Sequence, residues 1–179
     1  MIIDVAVHEK QHNMHRDAMT TALEPPRSPT ISLTEMTELV LPQHANALGT
    51  AFGGTVMAWT DICAAISAQR HCGAVAVTAS VDDLTFLAPI RVGDVVRLTG
   101  RLNAAFGTSV EIEVQVQVEE RATLQRRLAV RSLLTFVLVD EHGNPKKVPP
   151  LAVENDDDAR RVREAKERRD ERLRKRKTS

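Results

Sequence analysis

The 179-residue sequence predicts an α+β fold, in which an antiparallel sheet wraps around one long central helix. Two observations carry this prediction. One uninterrupted apolar segment in the first half of the chain has the length of a helix. Segments of strand-like alternation follow it without a second apolar helix between them, which disfavours alternating strands and helices. The chain length fits one domain with tails better than two domains.

Each predicted element has its own signal in the sequence. Residues 31–41 alternate apolar and polar side chains before Pro42, as a half-buried strand does. A loop over 43–54 contains three glycines. Neither Pro nor Gly interrupts 55–71, which is apolar nearly all round, so we expect a helix that is buried on most of its surface. Four further strands are predicted at 74–87, 94–105, 109–119 and 128–139.

The two ends of the chain differ from the middle in composition. Residues 1–30 are polar and end in a proline-rich stretch, so we predict a disordered or flexible arm, followed by a domain at 31–152. Residues 153–179 are predicted to be a charged helix or tail. From residue 159 onward the net charge is +7, but the signs are mixed and aromatics are lacking, which favours a solvated helix or frayed tail over nucleic-acid binding.

Several classes of protein are disfavoured by what the sequence lacks. No apolar run approaches the roughly 20 residues that span a bilayer, and the N-terminus resembles no signal peptide, so we expect a cytoplasmic protein without membrane insertion. Cys63 and Cys72 lack zinc-ligand spacing and are interpreted as buried reduced thiols. The histidines are scattered, so no metal site is expected. Phosphate-loop, dinucleotide-binding and serine-hydrolase motifs are also lacking.

Asp61 is the residue that most invites a chemical interpretation, because it lies within the apolar helix. A buried carboxylate costs several kcal/mol unless it is paired or hydrogen-bonded. Asp61 therefore lies on an exposed stripe, or bonds a core group, or acts as a general base or nucleophile.

The loop before the helix supplies the other candidates. Asn46 fits either a turn or a positioned amide. Gly53 and Gly54 fit either a plain turn or a helix start whose free N–H groups stabilise an oxyanion. Asp61 follows Gly54 by seven residues, which is about 10 Å along a helix axis, so one chain can hardly place both on one reacting carbon. Two chains related by a two-fold axis could, and an enzyme of this kind would be an obligate dimer.

An ordered series of motifs resembles a known family over about residues 33–170. The series resembles the hotdog-fold acyl-CoA thioesterases of the brain-type cytosolic acyl-CoA hydrolase group and their bacterial single-domain relatives. Its parts are Asn46-Ala47-Leu48-Gly49, Phe52-Gly53-Gly54-Thr55, Asp61, Arg70-His71-Cys72, Thr78-Ala79-Ser80-Val81-Asp82, Phe86-Leu87-Ala88-Pro89-Ile90, Gly93-Asp94, Thr108-Ser109-Val110-Glu111 and Val148-Pro149-Pro150.

The resemblance implies hydrolysis of acyl-CoA to free acid and CoA, with no cofactor. It implies that Asn46 and Asp61 act together from different subunits, that the Gly54 region polarises the thioester carbonyl, and that the chain forms a homohexamer built from dimers. CoA would lie along the subunit interface beside Gly53. Thr108 and Ser109 could hydrogen-bond it, and Lys146 or Lys147 could meet its phosphates, although the lysines equally fit a solvated surface.

Other hotdog proteins provide alternative functions. A non-catalytic acyl-CoA-binding protein would retain ligand without turnover, but a regulator of that kind needs a DNA-binding module, for which residues 1–30 are too short and proline-rich. A hotdog hydratase is expected to carry a His five residues after its Asp, where this chain has Ile66. A purely structural hotdog leaves Asp61 unexplained.

Overall fold

The computed structural model describes residues 24–120 and 123–178. In this part of the chain the elements are β1 (Thr34–Leu39), α1 (Gly53–Cys72), β2 (Ala76–Phe86), β3 (Val95–Phe106), β4 (Ser109–Glu119), β5 (Arg126–Leu138) and α2 (Asp156–Thr178). The predicted α+β class is confirmed. Most of the predicted N-terminal arm, residues 1–30, lies outside the described residues, and the division into arm, domain and tail stays a prediction.

The strands form one antiparallel sheet in the order β1-β3-β4-β5-β2, so β1 and β2 are its edges. The predicted strand at 109–119 matches β4, whereas β1 is shorter than predicted. A 3₁₀ turn at Pro29–Ser32, capped by the Ser28 side chain, occupies the start of the predicted first strand. Proline fixes φ at the start of such a turn, which delays the strand.

α1 packs across one face of the sheet and covers its apolar side chains. In β4, alternate valines and isoleucines point towards α1, because strand side chains alternate between faces. The buried core joins these residues to α1 and to β5, and its members include Val56, Cys63, Ala64, Val110, Ile112, Val114, Val116, Leu134 and Phe136.

α1 is longer than predicted and includes the double glycine in its first turn. Its first hydrogen bonds run from the N–H groups of Thr55 and Val56 to the carbonyl of Phe52. It ends at Gly73, which adopts φ 67° and donates its N–H to the carbonyl of Gln69. Glycine reaches this left-handed conformation without a steric penalty, so it terminates helices well.

α1 is buried or half-buried along most of its length, as expected, but a single protomer leaves one apolar side of it open. Met57 and Ile62 are each nearly half exposed, on the side of the helix that the sheet leaves uncovered. A single five-stranded sheet covers one side of a helix, and this sheet does not close around the other. The apolar stripe on α1 therefore faces outward.

Of the expected solvated helix or frayed tail, the structure has the helix, α2, but one face of it is not solvated. This helix lies on the sheet face opposite α1, where the strands present polar side chains. Arginines of α2 meet those side chains: Arg161 contacts Glu113, Arg168 contacts Glu111, and Arg172 contacts Asp82. The helix is therefore held to the sheet by ion pairs.

At the C-terminal end of α1, His71 contacts both the segment before β1 and the segment after β5. This side chain is 0% exposed, and its Nε2 lies 2.9 Å from the carbonyl oxygen of Pro149. Arg27 donates to the backbone carbonyl of His71 at 2.5 Å and pairs with Leu151 in an isolated bridge. Burial lowers the pKa of His71, so its ring is held neutral.

Candidate active site

Asp61 projects from the open side of α1 towards the edge strand β2. Its Oδ1 accepts a hydrogen bond from the Thr78 hydroxyl at 2.7 Å. The Asp61 side chain is half-buried, and its neighbour on α1, Ile62, is an exposed apolar residue. Of the alternatives raised by the sequence, the carboxylate thus sits on an accessible stripe and also has a specific hydroxyl partner.

The start of α1 offers unused hydrogen-bond donors. Gly53 and Gly54 precede the first intrahelical hydrogen bonds, so their N–H groups point out from the end of the helix. A Cβ added at Gly54 would lie 2.9 Å from the ring of Phe52. Glycine therefore keeps this N–H open to a ligand while Phe52 stays in place. Such a helix start favours a carbonyl oxygen that gains negative charge.

Asn46 closes the loop before α1 through its side chain. Its Oδ1 accepts from the N–H of Leu48 at 2.9 Å and of Thr50 at 3.3 Å, and its Nδ2 donates to the Thr50 hydroxyl at 2.9 Å. These are the bonds of an Asx turn, which was the alternative interpretation. The side chain is nevertheless exposed, so one further amide hydrogen faces solvent.

A groove of about 300 Å³ opens beside the start of α1. It runs between the Asn46 loop and the segment that follows β2, and its walls are mainly apolar: Thr50, Ala51, Val56, Phe86, Leu87, Ala88, Pro89 and Ile90. Phe86 closes it towards the helix, since its ring lies 3.6 Å from where a Cβ of Gly53 would be. The groove suits an apolar chain attached to a group at the helix start.

Four of the residues predicted to contact CoA lie together, but not beside Gly54: Thr108, Ser109, Lys146 and Lys147. The turn at Thr108 and Ser109 joins β3 to β4 and meets the segment of Lys146 and Lys147, because Val148 donates its N–H to the carbonyl of Gly107. Lys146 lines a cavity of about 490 Å³ with Val75 and Val139. This region adjoins the C-terminal end of α1, since Val139 bonds Val75 just after that helix.

One protomer therefore holds the predicted site in separate pieces. Asn46 and Gly54 share the N-terminal end of α1, Asp61 lies about 10 Å further along the axis, and the lysine region lies at the far end of a helix about 30 Å long. Thr78 is the residue that was not proposed from the sequence. It stood within a quoted motif, but only the approach of β2 to α1 shows its bond to Asp61.

The two cysteines agree with the prediction of buried reduced thiols. Cys63 and Cys72 are free and buried. Burial raises the pKa of Cys63 and of Cys72 to about 11 in each case. Both are therefore protonated near neutral pH, and neither is an activated nucleophile.

Comparison with known proteins places this geometry in a family. The family model described as "Thioesterase superfamily" matches residues 48–125. An acyl-CoA thioester hydrolase of Bacillus subtilis, itself uncharacterised, is 40% identical over 122 residues, which cover 68% of this chain and 71% of that protein. The chain belongs to the thioesterase superfamily. Mouse acyl-coenzyme A thioesterase 11 is 39% identical over 140 residues, and the chain spans 24% of its length.

Solved structures of the family confirm the predicted hotdog fold. An acyl-CoA hydrolase from Staphylococcus aureus, in complex with butyryl-CoA, CoA and CoA disulfide, matches with a TM-score of 0.80 at 38% identity, covering 85% of this chain and 93% of that one. An apo-hexameric acyl-CoA thioesterase matches with a TM-score of 0.80 at 37% identity, covering 84% and 97%.

Alanine variants of the Staphylococcus aureus hydrolase give a further point of comparison. Structures exist in which an Asn, an Asp or a Thr of that protein is replaced by alanine. The Asn and the Asp are 15 residues apart there, and the Asp and the Thr are 17 apart. Asn46, Asp61 and Thr78 have the same two spacings in this member of the family.

Within 24–120 and 123–178, neither helix is long and apolar enough to cross a membrane. The same residues contain no group of three or more His, Cys, Asp or Glu side chains that could hold a metal ion.

Proposed function

We propose that this chain hydrolyses acyl-CoA thioesters to a free carboxylic acid and CoA, at a site completed by a second copy of the chain. One observation carries the proposal: the Asp61 carboxylate, 2.7 Å from the Thr78 hydroxyl, faces outward from an apolar helix whose N-terminal amides are also unused. The names of the relatives support the same reaction, and so does the shared spacing of Asn, Asp and Thr.

The reaction assigns a task to each residue. The Gly54 N–H polarises the thioester carbonyl, and the helix dipole stabilises the oxyanion that forms. Asp61 of the other subunit takes a proton from water as the water oxygen attacks the carbonyl carbon. The carbon–sulfur bond then breaks, and the CoA thiolate takes up the proton. If Asp61 attacks the carbonyl carbon directly instead, the carbon–sulfur bond breaks, the CoA thiolate leaves and a mixed anhydride forms. Water then hydrolyses the anhydride, which releases the carboxylic acid, restores Asp61 and supplies the proton that the thiolate takes up.

Asn46 and Thr78 orient the reacting groups. The free amide hydrogen of Asn46 is placed to hold water or the substrate near the helix start. Thr78 fixes one carboxylate oxygen of Asp61 and leaves the other available for the proton. The acyl chain would lie in the apolar groove beside Gly53, because burial there removes its surface from water.

The requirement for a second copy follows from the open surface. Among the residues that the structure describes, β2 is an edge strand of 11 residues whose outer backbone groups have no strand partner. Val77, Val81 and Phe86 on β2 are nearly half exposed, as is Ile62 beside Asp61. A long apolar edge is a template for strand pairing. Two copies joined here would bring Asp61 of one towards the helix start of the other.

The larger assembly is proposed from the solved relatives. Structures of family members from Yersinia pestis and of the apo-hexameric thioesterase are described as hexameric. We infer three such dimers for this chain. CoA would follow the interface, so that Thr108, Ser109, Lys146 and Lys147 of one copy approach the helix start of the other. A cytoplasmic location stays a prediction.

The test measures thiol release from acyl-CoAs of several chain lengths. We expect Asp61→Ala to lower kcat by roughly 10²–10⁴-fold, the contribution of a positioned general base, and Asn46→Ala and Thr78→Ala to lower it less. Asp170→Ala is the matched control, since it makes the same substitution in an exposed part of α2 and should leave kcat at the parent value.

Two outcomes would contradict the proposal. An Asp61→Ala protein that assembles normally and turns over at the parent rate would refute the role of the carboxylate. Retention of acyl-CoA by the parent without turnover would instead favour the non-catalytic binding protein. A mixture of Asp61→Ala and Asn46→Ala chains that regains part of the activity would support a site shared between copies.

A further inference from the structure

Asp82 forms a polar centre on the outer face of the sheet that the proposed reaction does not use. It lies in β2, four residues after Thr78, and its side chain is 13% exposed. Its Oδ2 accepts from the Thr135 hydroxyl at 2.6 Å and from Arg172 Nη1 at 2.5 Å, while its Oδ1 accepts from the Ser80 hydroxyl at 2.7 Å. Three donors from two strands and α2 thus converge on one carboxylate.

The strand that carries Asp82 is irregular, and the irregularity changes the sheet face to which its side chains point. In a regular strand, Thr78, Ser80 and Asp82 would point to the same face, because side chains repeat every two residues. Here Thr78 pairs with Phe136 and Ser80 with Thr135, so the pairing skips the residue between them. The strand therefore contains a bulge.

The bulge places Thr78 and Asp82, which a regular strand would carry on one face, on opposite faces of the sheet. Phe136 belongs to the core beneath α1, so its partner Thr78 faces α1 and reaches Asp61. After the bulge the alternation is reversed, and Asp82 faces α2, where it meets Arg172. A second skip in the pairing falls at Asp82 itself. Bulges near active sites commonly re-aim a side chain in this way.

We propose that Arg172 is a positioning residue for the hydrolytic site, acting through Asp82 and the bulged strand to hold Thr78 against Asp61. This inference rests on the proposed function. A strand that slips by one residue turns its side chains to the other face, so the Thr78 hydroxyl would leave Asp61 if the bulge moved. Arg172 resists that movement because its charge faces a carboxylate that is largely removed from water.

Arg172, near the end of α2, is far from Asp82 along the chain but contacts it in the folded structure. Arg172 and Asp82 are 90 residues apart, and Asp82 is four residues from Thr78. Arg168, one turn earlier, binds Glu111 of β4 and holds the helix in register with the sheet. The C-terminal helix is therefore a part of the site's framework.

The experiment compares kcat and KM for Arg172→Met with those for Arg172→Lys. We expect the Met variant to lower kcat about tenfold, since small misplacements of a catalytic group cost up to roughly 10²-fold. KM should stay near the parent value because no proposed substrate contact is removed, and Lys, which keeps the charge, should restore most of kcat. Lys166→Met, on the exposed side of the same helix, is the control and should match the parent.

A double variant separates positioning from a general loss of stability. If Arg172 acts through Thr78, adding Arg172→Met to Thr78→Ala should lower kcat no further, because the interaction is already lost. An additive effect, or a parent-like kcat in Arg172→Met, would overturn the inference. Should Arg172→Met fail to fold, Thr135→Val removes another donor to Asp82. Thr135→Val is expected to lower kcat severalfold in the parent and not in Thr78→Ala, and any other result would equally overturn the inference.

A failure of this positioning role can be told apart from a failure of the proposed function. If Asp61→Ala is inactive while Arg172→Met and Thr135→Val behave as the parent does, hydrolysis stands and the positioning role fails. If Asp61→Ala is fully active, the hydrolytic assignment of Asp61 fails first.

Discussion

Replacing Arg168 with Met tests how strongly α2 is held to the sheet. Glu111 is 0% exposed and accepts from Arg168 Nη2 at 2.7 Å and from Arg168 Nε at 3.3 Å, with Asn103 as a third donor at 3.1 Å. Removing one partner of a buried ion pair costs about 3–5 kcal/mol, because the remaining charge is left without compensation. Arg168 is itself 29% exposed, so water can reach the vacated space. We therefore expect a loss of about 2–4 kcal/mol.

The free energy of unfolding is measured by urea denaturation at a fixed protein concentration, alongside the midpoint of thermal unfolding. The expected loss corresponds to a fall of about 4–16 °C in Tm for a domain of this size. Glu111→Gln removes the charge and keeps an acceptor for Asn103, so adding it to Arg168→Met should recover most of the loss. Arg163→Met, exposed on the same helix, is the control and should stay within about 0.5 kcal/mol.

The reasoning would be refuted if Arg168→Met lost less than about 1 kcal/mol, or if the double variant were no more stable than the single one. The first result would mean that α2 is a solvated helix after all. The second would mean that packing of the Arg168 stem, and not its charge, holds the helix.

Three further predictions concern stability and thiol chemistry. Burial lowers the pKa of His71, whereas the unfolded chain takes up that proton near its usual value of about 6.5, so stability should be full above pH 6.5 and fall as the pH drops towards the folded-state pKa. In urea titrations, His71→Gln should lose less unfolding free energy over that pH window than the parent does. An equal loss in the two proteins would contradict this prediction. With a pKa of about 11, Cys63 and Cys72 should react with a disulfide reagent at pH 8 only on unfolding, and rapid reaction of the native protein would be evidence against their burial. A Cβ at Gly100 would lie 2.5 Å from Ser67 Oγ, so Gly100→Ala should cost about 1–3 kcal/mol of unfolding free energy, and a parent-like urea midpoint would argue against that contact.

Much of the fold was predictable because its signals are local. The alternation of β4 over 109–119 predicted both its limits and its faces, since side chains on a strand repeat every two residues. The uninterrupted apolar segment predicted α1, although the helix starts two residues earlier, at Gly53. Glycine is a weak helix former, so its inclusion in the first turn depends on the loop packed against it.

Part of the candidate site was not predictable, and the reason is distance along the chain. Asp61 was proposed because a carboxylate in an apolar helix needs an explanation. Its partner Thr78 lies 17 residues away on an edge strand, and a bulge decides which face that residue takes. No local sequence pattern predicts a bulge of this kind.

The sequence by itself determined the order of the elements, the apolar faces that must meet, and the residue types available for chemistry. These follow from periodicity and from the cost of burying charge, which act over a few neighbouring residues. Only the tertiary structure decided that the basic tail lies on the polar sheet face, because arginines of α2 find carboxylates about 50 to 90 residues earlier in the chain. It also decided that α1 keeps an open apolar side, since one sheet of five strands cannot surround a helix.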